Sequence, residues 1–280
     1  MDVDAAALAI LLGLVQGLLE WLPVSSEGGV ALALAVLGGE GAVDATRFAL
    51  VLHAGTAVAA LSFYRADVVA FARQTPSWRP RRAFGDGQAD LTFFGVATLT
   101  SGVVGVGVYL AIIEVASELA GGAFVAAVGG LLVVTGLVQR VAEDWGLGDR
   151  ETPDALDAVL VGAMQGLALL PGVSRSGTTV SALLLRGHDG ESSLRLSFLL
   201  SIPASLGAGL LVVLDAGVPA LSPVSALLAL AVSAVVGYLT VGALVALVQR
   251  VAFWRVCVGF GALALVSGGL LVLAGGSPGL

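Results

Sequence analysis

The side chains best equipped for chemistry fall in two short stretches of this chain. One reads QGLALLPGVSRSGTT, Gln165 to Thr179, and the other QGLLEWLPVSSEGG, Gln16 to Gly29. In the first, Pro171-Gly172 ends one helix, and Ser174, Ser176, Thr178 and Thr179 are natural N-caps for the next. A helix start offers free backbone N–H groups and the positive end of the helix dipole. With Arg175 among them, the stretch makes an anion site suited to phosphate. The bland alternative is a capped turn with a snorkelling arginine.

In the second stretch Gln16 and Glu20 are four apart and share a helical face. Glu27 lies just past the turn. Carboxylates buried beside a phosphate need a cation, and oxygen ligands point to Mg²⁺ or another divalent ion such as Ca²⁺, held by Gln16, Glu20 and Glu27. Against this stands a structural ion pair between Glu20 and Arg175. Ser25 and Ser26 follow Pro23 at the tip; either is a candidate cap, Ser25 a phosphate contact, and Ser26 also a nucleophile. His53 lies inside an apolar run, where it is a base, a metal ligand or a hydrogen-bonded packing residue. His188, beside Asp189, is expected to be solvated in a turn. A Walker A loop needs a lysine, which the chain lacks, and neither HExxH nor Gly-x-Ser-x-Gly occurs.

The two stretches are copies. At an offset of about 149 residues Gly13/Gly162, Gln16/Gln165, Gly17/Gly166, Val24/Val173, Ser25/Ser174 and Gly28/Gly177 coincide without a gap. What surrounds them is oily: of 280 residues 58% are hydrophobic and 12% charged, with a mean hydropathy of +1.00. Such a chain is an all-α polytopic membrane protein. The single Cys257 allows no internal disulfide or cysteine metal cage, and Asp2 and Asp4 stand where a basic signal-peptide start would be. A net charge of −7 with every basic residue an arginine fits a GC-rich genome or a salt-adapted organism, and argues against a nucleic-acid partner.

Apolar runs at about 4–20 and 28–37 are too short to cross, and read as a re-entrant pair; spans follow at about 46–64, 91–113 and 120–139. The second half repeats the plan, with a re-entrant pair at about 155–170 and 179–186 and spans at about 194–214, 222–248 and 252–275. Residues 1–140 thus form one repeat, 141–154 a charged cytoplasmic linker, and 155–280 a second repeat. Three crossings per half turn the second repeat upside down, an inverted topology that places sites near the midplane. Arg65, Arg73, Arg79, Arg81, Arg82, Arg140, Arg150, Arg186, Arg195, Arg250 and Arg255 then share the cytoplasmic side. Both termini are expected outside, and Arg175 is left at depth, where an arginine costs roughly 2.5–3.5 kcal/mol.

These residues resemble the undecaprenyl-diphosphatase family, integral-membrane lipid-pyrophosphate phosphatases also called bacitracin-resistance proteins, in an archaeal or salt-adapted form. Gln16 to Glu20 is similar to its (Glu/Gln)-x-x-x-Glu motif, LPVSSEG (Leu22 to Gly28) to LPVSSTG, and PGVSRSGTT (Pro171 to Thr179) to PG-x-SRS-x-x-T. SFLLSIPASLGA (Ser197 to Ala208) also matches, so the likeness covers essentially the whole chain. It implies hydrolysis of a polyprenyl diphosphate, undecaprenyl- or dolichyl-type, to the monophosphate and phosphate with a divalent cation. It also implies a site opening to the outer face and roles for Gln16, Glu20, Ser26, Ser174, Arg175 and Thr179. The family commonly has a histidine after SSTG; Gly29 stands there, and Glu27 replaces the threonine. Glu27, His53 or a metal-bound water would have to act as base instead. The competing reading is a polyprenyl-phosphate flippase, and the sequence leaves a homodimer open.

Overall fold

The computed structural model describes residues 3–37, 42–85, 87–118, 121–145, 148–217, 222–248 and 250–273. In a medium without water each backbone N–H and C=O must find its partner within its own segment, which favours helices. The described residues hold eleven α-helices and no strand: α1 (Val3–Leu19), α2 (Ser26–Leu37), α3 (Ala42–Phe63), α4 (Arg65–Gln74), α5 (Ala89–Glu118), α6 (Gly122–Trp145), α7 (Ala155–Leu167), α8 (Arg175–Leu185), α9 (Gly190–Ala216), α10 (Pro223–Val248) and α11 (Phe253–Leu273). Six of them (α3, α5, α6, α9, α10 and α11) are long and apolar enough to cross a bilayer. Their outward side chains are aliphatic, among them Leu99 and Val103 on α5, Leu239 on α10 and Leu273 on α11. Apolar surface on that scale faces lipid rather than water, and the chain is a multi-pass membrane protein.

α1, α2, α7 and α8 have 17, 12, 13 and 11 residues. At 1.5 Å per residue they reach roughly 16–26 Å, short of the ~30 Å hydrocarbon layer. They come as two pairs, α1 with α2 and α7 with α8, each pair broken by a turn. α1 lies along α10 and α7 along α5, while α3 and α9 pack on each other and α6 runs along α11. Glycine lets the backbones touch at these seams. A Cβ at Gly13 would sit 2.6 Å from the Ala229 carbonyl oxygen, one at Gly162 2.6 Å from that of Ala97, and one at Gly129 2.6 Å from that of Gly261.

Several boundaries differ from the sequence expectation. The return helices begin earlier than residues 28 and 179, at Ser26 and Arg175, because the preceding serines cap them. α6 continues to Trp145, so the linker expected over 141–154 starts as helix. The arginine-rich connection after α3 folds into α4 and two 3₁₀ turns, Thr75–Ser77 and Pro80–Arg82. His188 is not solvated: it is fully buried, with Nε2 3.0 Å from Asp157 Oδ2. Asp157 also accepts from Arg186 Nε at 2.6 Å and from Arg150 at 3.1 Å, which ties the linker to the end of α8. The expected outside termini, Glu40 and the end of the last span at 274–275 lie outside the described residues or at their edge.

Candidate active site

Each broken pair turns on a serine. Ser174, extended at φ −71°, caps α8 by accepting from the Gly177 N–H at 3.1 Å. Ser25 does the same for α2, accepting from the Gly28 N–H at 3.1 Å. Ser25 is the one non-glycine in the left-handed region among the described residues, at φ 62°. Such a backbone costs roughly 1–3 kcal/mol and persists only where neighbours hold it. One of those neighbours belongs to the other break: the Gly172 N–H, in a turn whose φ of +100° suits glycine, donates to Ser25 Oγ at 3.2 Å.

The two tips therefore meet. Ser176 Oγ donates to the Leu22 carbonyl at 3.3 Å, and the Arg175 guanidinium pairs with Glu20. α6 and α11 brace the junction, with Gln139 Nε2 2.7 Å and Cys257 Sγ 2.9 Å from the Pro23 carbonyl. Thr135 Oγ1 reaches the Gly172 carbonyl at 3.3 Å. Trp21, fully buried, donates to the Gly237 carbonyl at 3.0 Å and sets its ring edge-on to Phe198. The Arg175 guanidinium lies over that Phe198 ring, 5.8 Å from its centre, with NH1 3.4 Å from the Ser197 carbonyl. Its side chain is 14% exposed, so the charge is held inside the protein and not in bulk solvent.

Glu20 is the hub of the pocket. Its Oε1 takes Arg175, and its Oε2 accepts from Gln16 Nε2 and Ser26 Oγ, both at 2.8 Å. His53 Nε2 stands 3.3 Å from the same Oε2 and 3.4 Å from Ser26 Oγ. His53 Nδ1 is 2.7 Å from the Ala49 carbonyl, an oxygen that can only accept. Nδ1 therefore carries a proton, and in the neutral ring Nε2 is free to take one. Ser26 is thus flanked by two proton acceptors.

The pocket lined by Glu20, Ser25, Ser26, Glu27, His53, Ser174, Arg175 and Ser176 gathers most of the residues singled out in the sequence. Gln16, Thr178 and Thr179 do not line it; Gln16 lies fully buried behind Glu20, to which it donates. The Thr178 hydroxyl bonds the Ser174 carbonyl at 2.9 Å, and Thr179 bonds the Arg175 carbonyl at 2.8 Å and Ser197 Oγ at 2.7 Å. Thr179 holds the turn that carries Arg175 from behind. The first two amides of α2 and of α8 have no carbonyl one turn back and sit at residues that line or adjoin the pocket.

Of the buried oxygens without a hydrogen-bond partner, two belong to residues next to Glu20, Gln16 Oε1 and Glu27 Oε1. Among the described residues no three His, Cys, Asp or Glu side chains converge as a complete metal cage. The orphan oxygens beside Glu20 are hard donors of the kind Mg²⁺ and Ca²⁺ take, and such ions draw further ligands from phosphate and water. The residues present fit a divalent cation shared with a phosphate better than one held by protein alone.

Sequence reasoning passed over Gln165, Ser197 and Ser205. Gln165 was visible as the repeat partner of Gln16; the two serines lie in the segment Ser197 to Ala208 that matches the family, but that likeness gave neither a role.

Residues 9–266 match the family described as bacitracin resistance protein BacA. An undecaprenyl-diphosphatase of Haloarcula marismortui is 62% identical over 94% of this chain and 97% of its own. One of Methanococcoides burtonii is 35% identical over 92% and 97%, and one of an Anaeromyxobacter species 36% identical over 96% and 94%.

Proposed function

Because this chain belongs to the bacitracin resistance protein BacA family, we propose that it is an integral-membrane phosphatase that hydrolyses a polyprenyl diphosphate to the monophosphate and inorganic phosphate, recycling a lipid carrier. One observation carries the reading: Arg175, two helix starts, Ser26, Glu20 and His53 converge in a single buried polar pocket within an otherwise apolar protein.

The distal phosphoryl group sits against Arg175, Ser174, Ser176 and the first N–H groups of α2 and α8, which offset the charge that builds on its oxygens. Ser26 Oγ attacks the distal phosphorus and passes its proton to Glu20 Oε2 or His53 Nε2. The bridging P–O bond breaks, and the prenyl monophosphate leaves with the electron pair. The proton taken from Ser26 passes to the departing prenyl monophosphate, which frees the acceptor; water, deprotonated by it, then cleaves the phosphoseryl ester, and the proton returns to Ser26 Oγ as phosphate is released. His53 and Glu20 supply the base that Gly29 cannot. Glu20, Glu27 and Gln16 would hold Mg²⁺ or Ca²⁺; the bound ion shields the carboxylates from the substrate and polarises phosphoryl oxygens.

The two broken pairs are read as inverted re-entrant hairpins. Support comes from the exchange of partners, α1 with α10 and α7 with α5, and from matching caps at Ser25 and Ser174. With the arginines on the cytoplasmic side, both termini lie outside and the pocket opens to the outer face.

The purified protein is expected to release phosphate from a polyprenyl diphosphate with Mg²⁺, and to stop on chelation. No release from any prenyl diphosphate under metal-replete conditions refutes the proposal. A second reading, a polyprenyl-phosphate flippase, draws on a cavity of about 160 Å³ that reaches Ser176 from the Glu143 and Phe253 side. Carrier movement in liposomes without phosphate release would favour it.

A further inference from the structure

Three cavities lie in a row, and their walls overlap. The head pocket, of about 20 Å³, shares Glu27, His53 and Arg175 with a second cavity of about 40 Å³, which adds Gln165 and Ser205. That cavity in turn shares Gln165, Leu169, Ala204 and Ala208 with a third of about 360 Å³ between α5, α7 and α9. The third is mostly apolar, with Thr98, Ser101 and Gln165 its polar side chains. The lining thus passes from charged groups, to an amide and a hydroxyl, to hydrocarbon.

Gln165 stands where the second and third cavities join. It is buried, and its Nε2 bonds Ser101 Oγ at 3.2 Å, while Oε1 has no partner. A buried amide with one end unmatched is costly unless something else fills the bond. The amide can also be turned over. Ser101 Oγ then gives Oε1 its one proton, which otherwise goes to the Thr98 carbonyl at 3.2 Å, and the NH₂ takes the unpartnered position as a donor suited to a phosphate oxygen, whose bond offsets the exchange.

We propose that this second compartment binds the phosphate that stays on the lipid, with Gln165 donating to it and Ser205 beside it. The cavity between α5 and α9 takes the first isoprene units of the chain. The inference rests on the diphosphatase reading and adds to it the subsite that recognises the leaving monophosphate ester. It assigns a task to Gln165, which lies outside the proton-transfer and phosphoryl-binding set. The order of chemistry along the three cavities is the order along a prenyl diphosphate: terminal phosphate, ester phosphate, hydrocarbon. The third cavity also has room to test. A Cβ at Gly207 or Gly102, both in its wall, would meet no atom within 4 Å.

The test compares steady-state hydrolysis of a five-carbon and a fifteen-carbon prenyl diphosphate by the full-length protein in detergent with Mg²⁺. Gln165→Leu should raise KM about tenfold for both, the loss expected for one hydrogen bond to an ionised phosphate. Gln165→Glu, with a like charge facing the phosphate, should raise it further. Gly207→Phe should raise the ratio of the fifteen-carbon KM to the five-carbon KM about tenfold. Unchanged KM in both Gln165 variants, or an unchanged ratio in Gly207→Phe, overturns the proposal. Should Gln165→Leu fail to fold, the isosteric Gln165→Glu and Gly207→Phe carry the decision. Wild-type protein that hydrolyses neither substrate, nor a long-chain one, would instead refute the diphosphatase reading.

Discussion

Replacing Arg175 by alanine separates a strut from a working residue. The Arg175–Glu20 pair has side-chain exposures of 14% and 3%, so its loss strands a carboxylate inside the protein. Breaking a buried pair from one side costs about 3–5 kcal/mol. Glu20 would keep only its hydrogen bonds from Gln16 and Ser26 and the nearby His53. Arg175→Ala should therefore lower unfolding free energy in detergent by that amount. Adding Glu20→Gln removes the stranded charge, and most of the loss should return. Turnover should behave otherwise. Arg175 is the one guanidinium lining the pocket among the described residues, and a preorganised donor to a transferring group is worth about 10²–10³ in rate. Because Glu20→Gln alone removes a proton acceptor, the double variant is compared with that single variant: it should be stable and at least about a hundredfold slower than Glu20→Gln. Thermal unfolding and phosphate release on the same preparations decide it. If the double variant turns over as fast as Glu20→Gln alone, Arg175 serves only as a structural partner of Glu20.

Three further outcomes follow from the geometry. Gly13→Val and Gly162→Val should each destabilise by about 1–3 kcal/mol, because the new side chain drives α1 from α10 or α7 from α5; equal thermal midpoints to wild type would show that the seams are loose. Thr178→Val should leave turnover within about threefold of wild type, whereas Ser174→Ala should lower it about tenfold or more through the lost cap and phosphate contact. Asp157 gives a pH signature. Burial pushes its carboxyl up, but the hydrogen bonds from Arg186 and His188 and from the Asp154 amide outweigh this and hold it at about 2. The folded value lies below the unfolded one, so the contribution, about 2 kcal/mol, is complete above pH ~4 and fades as pH falls through about 2. Asp157→Asn should thus lower the thermal midpoint at pH 7 and differ little from wild type near pH 2.

Much of this arrangement was legible in the sequence, for physical reasons. Gly, Pro and Ser interrupting apolar runs marked both breaks, and the repeated spacing said that they were related. Arg175 had no interface within reach, which pointed to a buried partner, and the structure supplies Glu20. The orientation of hydroxyls was not legible. Ser174, Thr178 and Thr179 look alike as cap residues, and only the helix phase decides that one faces the pocket and two turn back to carbonyls. His188 was misread because its partner Asp157 lies 31 residues away, brought near by the capping box that starts α7. The surroundings of Ser197, Ser205 and Gln165 became visible only once α9 and α5 were placed beside the breaks.

The exchange of partners between the halves bears on how the protein is made. α1 leaves the ribosome first, yet the helix it lies along, α10, is among the last to be synthesised. Until Pro223–Val248 is inserted, the Gly13 and Gly17 face of α1 has no mate, and a short hairpin must wait in the bilayer beside temporary neighbours. Neither half is a self-sufficient folding unit. Truncation anywhere before α10 strands the first hairpin, even where it leaves α7 and α8 whole, which makes the C-terminal part of the chain a checkpoint for assembly of the rest.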